Sequence, residues 1–253
     1  MHRKTILIFT MEPTETLYRL ANNHISVDCV VVGFDGDGLC VLLVKRDGVD
    51  DGGEFHGMKL PGSLIYEDED LDEAAARVLF ELTGLKNVNL MQFKAFGSKN
   101  RTNDPRDVLW LERAQKVHVD RIVTVGYVAL VKLDRANEKQ LVSSSAFWTP
   151  VAEIGTLAFD HNQIVSEALL NLRGVTDMNP SVLFELLPRK FTAAQFRSLY
   201  EILLNHKVDA RNFHKKIALM DYVVPLEERQ QGVAHRAARY YKFDRKKYNR
   251  SRR

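Results

Sequence analysis

A chain of 253 residues, 45% hydrophobic and 27% charged with a net charge of +3, has the composition of a soluble globular protein and room for one large domain or two ordinary ones. No apolar run approaches the roughly 18 residues of a membrane span, and the start MHRKTILIFTMEPTE turns acidic without a small-residue cleavage site, which speaks against a secretory leader. The net charge hides a split: Asp177 to Arg253 carry 17 Lys and Arg against 8 Asp and Glu, the rest of the chain 19 against 25, as expected of two modules of which the second favours a polyanion.

In chain order, PTETLYRLANNH predicts a short helix with Pro13 near its start. ISVDCVVVGFDGDGLCVLLVKR is two β-branched apolar runs around FDGDG, a hairpin signal. Cys29 and Cys40 lie in those runs; a disulfide is open to them, but the composition favours buried reduced thiols in a cytoplasmic protein, and neither has zinc-ligand spacing. DGVDDGGEFHG reads as a loop, after which Leu60-Pro61-Gly62 turns the chain into a loop and then a helix from Glu69 to Thr83, capped by Gly84. VNLMQFKAFGS and RIVTVGYVALVKL read as strands on either side of a polar loop, KNRTNDPRDV, and SSSAFWTPV as one more strand. Asp160 is placed to cap a helix, HNQIVSEALLNLR, ending at Gly174. Strands and helices mixed in this way predict an α/β or α+β domain over 1–173, with GVTDMNPS as the linker.

The remainder, 177–253, differs in kind. SVLFELLP, TAAQFRSLYEILLN and DARNFHKKIALM read as three short helices, the second opened by a Thr192-x-x-Gln195 capping box and the third capped by Asp209. DYVVPL and ARYYKF follow as strands joined by EERQQGVAHR, and the tail KFDRKKYNRSRR reads as a frayed, solvated end. Three helices and a hairpin in this order describe a winged helix-turn-helix. With Phe213 set at the core, Ile217 and Met220 join it in one apolar stripe, while Arg211 and Lys215 point away with Asn212 and His214 on the flanks. Such a face could simply be solvated. Arg and Asn can also read guanine and adenine in a major groove while Lys reaches phosphate, and the surrounding helix and hairpin, with His235, Arg236 and Arg239 near its tip, favour that second reading.

The segment LPGSLIYEDEDLDEAAARVLFELTGL resembles the Nudix box, G-x5-E-x7-R-E-U-x-E-E-x-G-U with U aliphatic, aligned on Arg77 and Gly84. In Nudix hydrolases the box presents carboxylates that hold Mg²⁺ against a pyrophosphate. Here Glu69 and Glu81 keep two acidic positions, Leu79 and Leu85 the aliphatic ones, and Ser63 stands for the first glycine beside Gly62. The other two acids are replaced by Val78 and Leu82, one helical turn apart on one face. Two remaining glutamates make a poor octahedral site, so the expectation is a Nudix fold without catalysis, resident metal or cofactor.

The box, LAFDHNQIVSEALLNLRG and the helix-rich module together are similar, over roughly residues 26 to 245, to the Nudix-related transcriptional regulators. That resemblance implies a Nudix-type α/β/α sandwich with a mixed sheet followed by a winged helix-turn-helix, a cytoplasmic homodimeric repressor, and double-stranded operator DNA as partner. Arg211, Asn212, His214, Lys215, Arg236 and Arg239 are the expected DNA contacts. Some such regulators sense ADP-ribose-type nucleotides and control NAD synthesis; others sense sugars, and this chain looks closest to an L-arabinose-responsive branch. Charge points to an uncharged sugar as well, because the box supplies few cations for a pyrophosphate, and Lys59, Glu67 and Glu69 are the expected effector contacts. The alternatives are a regulator of NAD metabolism sensing ADP-ribose or a related phosphorylated ribose, and an active Nudix hydrolase with an accessory nucleic-acid domain. An RNA- or protein-docking module has only Tyr240 and Tyr241 in its favour.

Overall fold

The computed structural model describes residues 19–50, 53–134, 137, 139, 141, 145–232 and 237–251. Its first domain is a mixed sheet in which β1 (Ala21–Phe34) lies between β2 (Leu39–Asp50) and β6 (Val123–Leu130), parallel to β6 and antiparallel to β2. β3 (Gly53–Lys59) and β5 (Leu90–Phe96) extend the sheet at its two ends, while β4 (Gly62–Tyr66) pairs with β1 and β7 (Ala146–Pro150) with β2. Side chains alternate across β1, as strand geometry requires. Val30, Val32 and Phe34 pack on the side of α3 (His161–Met178), and Val27, Cys29 and Val31 on the side of α1 (Leu71–Thr83). Between β5 and β6 runs α2 (Pro105–Gln115). The result is the α/β/α sandwich expected from the sequence.

The second domain follows a single turn of 3-10 helix, 180–182. It comprises α4 (Leu183–Leu186), β8 (Phe191–Thr192), α5 (Ala193–Leu204), α6 (Ala210–Ala218), β9 (Val223–Arg229) and β10 (Arg239–Phe243), with a three-stranded sheet in the order β8-β10-β9. Thr192 and Gln195 form the capping box of α5, and Asp209 accepts from the Asn212 N–H at the start of α6. Phe184 organises the core: its ring stacks on Phe243 with centroids 4.1 Å apart and meets Phe196 at 5.1 Å.

Several elements depart from the sequence expectation. Of the expected N-terminal helix, 13–24, residues 13–18 lie outside the described ones, and Ala21–His24 open β1, where Ala21 pairs with Tyr66. The described residues of DGVDDGGEFHG form the end of β2 and most of β3, with Asp50 opposite Gly53. The expected loop KNRTNDPRDV gives way to α2 at Pro105, because Asp104 accepts from the Arg106 N–H and proline fits a first helical turn. The connecting helix passes Gly174, whose backbone stays helical, and stops at Asn179, ahead of Pro180. Asp160 occupies the position before α3, but its side chain makes no cap hydrogen bond. The tail is not frayed up to 251: α7 (Arg245–Ser251) is opened by Asp244 accepting from the Lys247 N–H at 3.0 Å and anchored by buried Tyr248, whose hydroxyl donates to Asn179. Cys29 and Cys40 are buried free thiols, and burial pushes the Cys40 thiol up to about 11.

The two domains share a core. One apolar cluster joins Val30, Val32, Ile164 and Leu172 to Phe184, Leu187, Phe196 and Phe213. Lys132, at the end of the first domain, donates from Nζ to the carbonyls of Phe184 (2.7 Å) and Leu187 (2.6 Å), satisfying acceptors at the end of α4.

Candidate effector cavity and nucleic-acid interface

The Nudix-like helix is built for packing on one face and for ion pairing on another. Val78 is fully buried among Val27, Cys29 and Tyr127, and Leu82 packs against the same cluster. Where the box pattern has carboxylates, this helix has a dry wall. Glu69 is committed: its oxygens take Arg77 Nε at 2.9 Å and Nη2 at 2.5 Å, the Tyr66 N–H at 2.8 Å and Arg19 Nη2 at 3.2 Å. Arg19 and Arg77 both lie over the Tyr66 ring, at 4.3 and 4.1 Å. Burial works to raise the Glu69 carboxyl, but Arg77 and the Tyr66 N–H outweigh it and hold it below the ordinary glutamate value. Glu81 takes the other end of Arg77, and exposed Glu67 accepts from Asn22.

Lys59 is buried, donating from Nζ to the carbonyls of Leu60 (3.1 Å) and Gly62 (2.7 Å), and burial lowers its pKa to about 8. The three expected effector contacts therefore do not converge: Lys59 faces inward, Glu69 is bound to Arg77, and Glu67 lies at the surface beside Asn22. Lys59 instead borders a small buried ionic cluster with Asp28, Arg101 and His161. Arg101 Nη2 pairs with Asp28 at 2.8 Å, and Nη1 pairs with Asp160. The Leu60 N–H donates to His161 Nδ1 at 3.0 Å, which leaves Nε2 to carry the ring proton toward Asp28 Oδ1, 3.3 Å away. Burial works to raise the Asp28 carboxyl, yet His161 and Arg101 hold it well below the ordinary aspartate value. Gly62 has no room for a side chain, since a Cβ there would collide with Asp28 Oδ1 and lie 2.9 Å from the Val27 carbonyl.

Next to this cluster opens a cavity of about 470 Å³, walled by β2, β3, the segment leading into α2, and the residues before α3. Arg46, His56, Arg101 and Arg106 line it, against Asp104, Asp107 and Asp160. The few cations counted in the Nudix-like box are thus supplemented from outside it. Arg46 pairs with Asp107, whose second oxygen accepts from the Phe159 N–H at 2.5 Å. Arg46 Nε, Arg101 Nε and Asp160 Oδ2 are buried without a hydrogen-bond partner; of the seven such atoms among the described residues, these three belong to residues of this one cavity. The guanidinium groups and carboxylates on its walls suit the cavity to a molecule that offers acceptors to the first and donors to the second. Sequence reading missed it. Its residues come from segments with no shared motif, and Arg101 lies 73 residues from Asp28 and 59 from Asp160.

The face of the second domain expected to meet DNA keeps the exposure pattern of its helix. On α6, Phe213 and Ile217 are buried while Arg211, Asn212, His214 and Lys215 are exposed, as the helical period predicts. Phe213 fixes the helix against Phe196, with ring centroids 5.2 Å apart. Arg239 begins β10 and is exposed, whereas His235 and Arg236 lie outside the described residues. Tyr241 stacks on Phe191 inside the domain, and the Tyr240 backbone pairs in register with Thr192.

A profile described as the NUDIX domain matches residues 22–170, and one described as the NrtR DNA-binding winged helix domain matches 183–243. The chain is 26% identical over 222 residues to the "ADPR responsive transcriptional repressor NtrR" of Acinetobacter baylyi, covering 86% of this chain and 81% of that one. Among solved structures it is similar to Shewanella oneidensis NrtR complexed with a 27mer DNA, with 25% identity, a TM-score of 0.64, and coverage of 89% of this chain and 95% of that one. A MutT/nudix family protein from Enterococcus faecalis shares the fold at 23% identity and a TM-score of 0.59, covering 88% of this chain and 87% of that one.

Proposed function

The chain belongs to the Nudix family and joins a Nudix domain to an NrtR-type winged helix domain; on that premise we propose that it is a DNA-binding transcriptional repressor whose Nudix domain senses ADP-ribose and does not hydrolyse it. In this reading residues 1–173 sense and 177–253 bind operator DNA as a homodimer in the cytoplasm, with Arg211, Asn212, His214, Lys215, Arg236 and Arg239 at the duplex. Two-fold operator symmetry is the usual counterpart of such a module.

The observation that carries the effector is the cavity with Arg46, Arg101 and Asp160. Guanidinium groups match phosphate oxygens in a planar fork, and a ribose hydroxyl supplies the donor that Asp160 lacks. The case for an uncharged sugar rests partly on resemblance and partly on a shortage of cations, and Arg46, His56, Arg101 and Arg106 around this cavity remove the second premise. The Acinetobacter baylyi relative, named as ADPR-responsive, supports the same choice. The absence of hydrolysis rests on Val78 and Leu82, which put hydrocarbon where the box pattern holds metal-binding acids.

Calorimetry of the full chain against ADP-ribose, phosphoribosyl pyrophosphate and L-arabinose tests the effector. ADP-ribose should bind and L-arabinose should not, and Arg46→Ala should weaken ADP-ribose by about tenfold or more, the usual scale of a lost charge-assisted contact. Binding of L-arabinose alone would overturn the reading. Incubation of ADP-ribose with Mg²⁺ or Mn²⁺ should release no product above background, and turnover near ~1 per second would make the protein an enzyme.

A further inference from the structure

We propose that Arg101 couples the cavity to the DNA-binding domain, by holding Asp160 at the head of the connecting helix α3 until an anionic effector competes for the same guanidinium; this rests on the effector reading above.

Arg101 is buried and divides its donors between two carboxylates from different parts of the fold. Asp28 is fixed in β1 at the centre of the sheet. Asp160 is the residue before α3, and it faces the cavity with Oδ2 unpartnered. Arg101 Nε is likewise buried and unpartnered. A phosphate that enters the cavity and competes for this guanidinium therefore comes beside a carboxylate already held by the same cation. Two anions on one guanidinium repel at a few ångströms in a poorly solvated site, where the repulsion is screened far less than in water. The occupant's charge thus pushes Asp160 away from Arg101, and burial already disfavours the Asp160 anion, raising its carboxyl above the ordinary value.

Displacement of Asp160 matters because α3 begins at the next residue. That helix has 18 residues, a rod of about 27 Å at 1.5 Å per residue. Its near end is held by the Arg101–Asp160 pair and by His161 on Asp28 and Leu60. Towards its far end Leu172 and Val175 pack into the cluster of Val182, Phe184, Leu187 and Phe196 that supports the recognition helix through Phe213. A shift at the head of a packed rod is passed on to that cluster, because close-packed interiors transmit displacement.

The test is Asp160→Asn in the full chain, read by anisotropy on a duplex that the wild-type chain selects, with ADP-ribose as probe and hydrogen exchange over residues 161–165 as the local readout. Without effector, the variant should bind DNA about tenfold more weakly than wild type, its first helical turn should exchange faster, and ADP-ribose should change its DNA affinity less than twofold. Arg101→Lys, which keeps the charge but loses the fork, should also abolish the response. A variant that binds DNA as wild type does and keeps the full ADP-ribose response overturns the inference. If the wild type ignores ADP-ribose while Asp160→Asn still weakens DNA binding, the coupling stands and the choice of effector falls.

Discussion

Glu69 sits at an acidic position of the box pattern and is held in an ion-pair network. Its buried carboxylate meets Arg77 through two nitrogens and receives the Tyr66 N–H. Removing one partner of a buried pair leaves the other uncompensated, at a cost of about 3–5 kcal/mol. Arg77 keeps Glu81 and the Leu64 carbonyl, so Glu69→Gln should lie near the lower end, about 3 kcal/mol in denaturant unfolding. Glu69 and Asp28 are both held below their ordinary values, so their contributions are present above pH about 4–4.5 and lost as pH falls through the lowered folded-state values. Stability should therefore fall on acidification below that window, and less steeply in Glu69→Gln. At Gly62 the backbone touches the same cluster, and Gly62→Ala should cost about 3 kcal/mol by overpacking against Asp28. The Glu69–Arg77 partnership was not legible in the sequence, which offered only the i, i+4 pair of Arg77 and Glu81.

Among elements, those with regular apolar periods were legible and those defined by tertiary contacts were not. β1, β2 and β6 are long, near-continuous apolar runs, α1 ends at a left-handed Gly84, and α6 carries its buried side at Phe213 and Ile217. β3 was missed because the polar, glycine-rich DGVDDGGEFHG carries no alternating apolar pattern, and it is ordered by pairing with β2. α2 was missed because its Asp104-Pro105 start is embedded in charged residues, with only Asp107 and Leu111 buried. α1 also shows why the lost acids are not easily regained. Val78→Glu would put a carboxylate into a fully dry cluster, so the variant should lose at least about 4 kcal/mol in unfolding experiments and gain no hydrolysis. On α6, Arg211→Ala should weaken DNA binding by ~1–3 kcal/mol and relax specificity at one base position. Lys215→Ala, if it meets phosphate, should lower affinity evenly and shallow the log–log salt slope by about one unit. Titrations at several salt concentrations separate the two effects.

At the scale of the whole molecule, the two domains expected from the charge split are joined by a continuous core. The segment GVTDMNPS, expected as a linker, is largely the last turn of α3, and Leu172 before it and Val175 within it pack into the cluster of Phe184 and its neighbours. The isolated 177–253 fragment would expose that surface, so it should melt with weak cooperativity and little near-ultraviolet dichroism while the full chain unfolds sharply; equal cooperativity would mean the shared core contributes little. The cavity proposed for the effector belongs to this scale too, since Arg46, Arg101 and Asp160 meet only when sheet, α2 segment and α3 are assembled. The most direct test of an effector-controlled repressor is the affinity of the full chain for its selected duplex as ADP-ribose is titrated. That affinity should fall about tenfold, matched by an equal loss of ADP-ribose affinity on DNA, a coupling of ~1.4 kcal/mol, with the nucleotide recovered intact. DNA affinity unchanged at saturating ADP-ribose, or hydrolysis of the nucleotide during the titration, would contradict it.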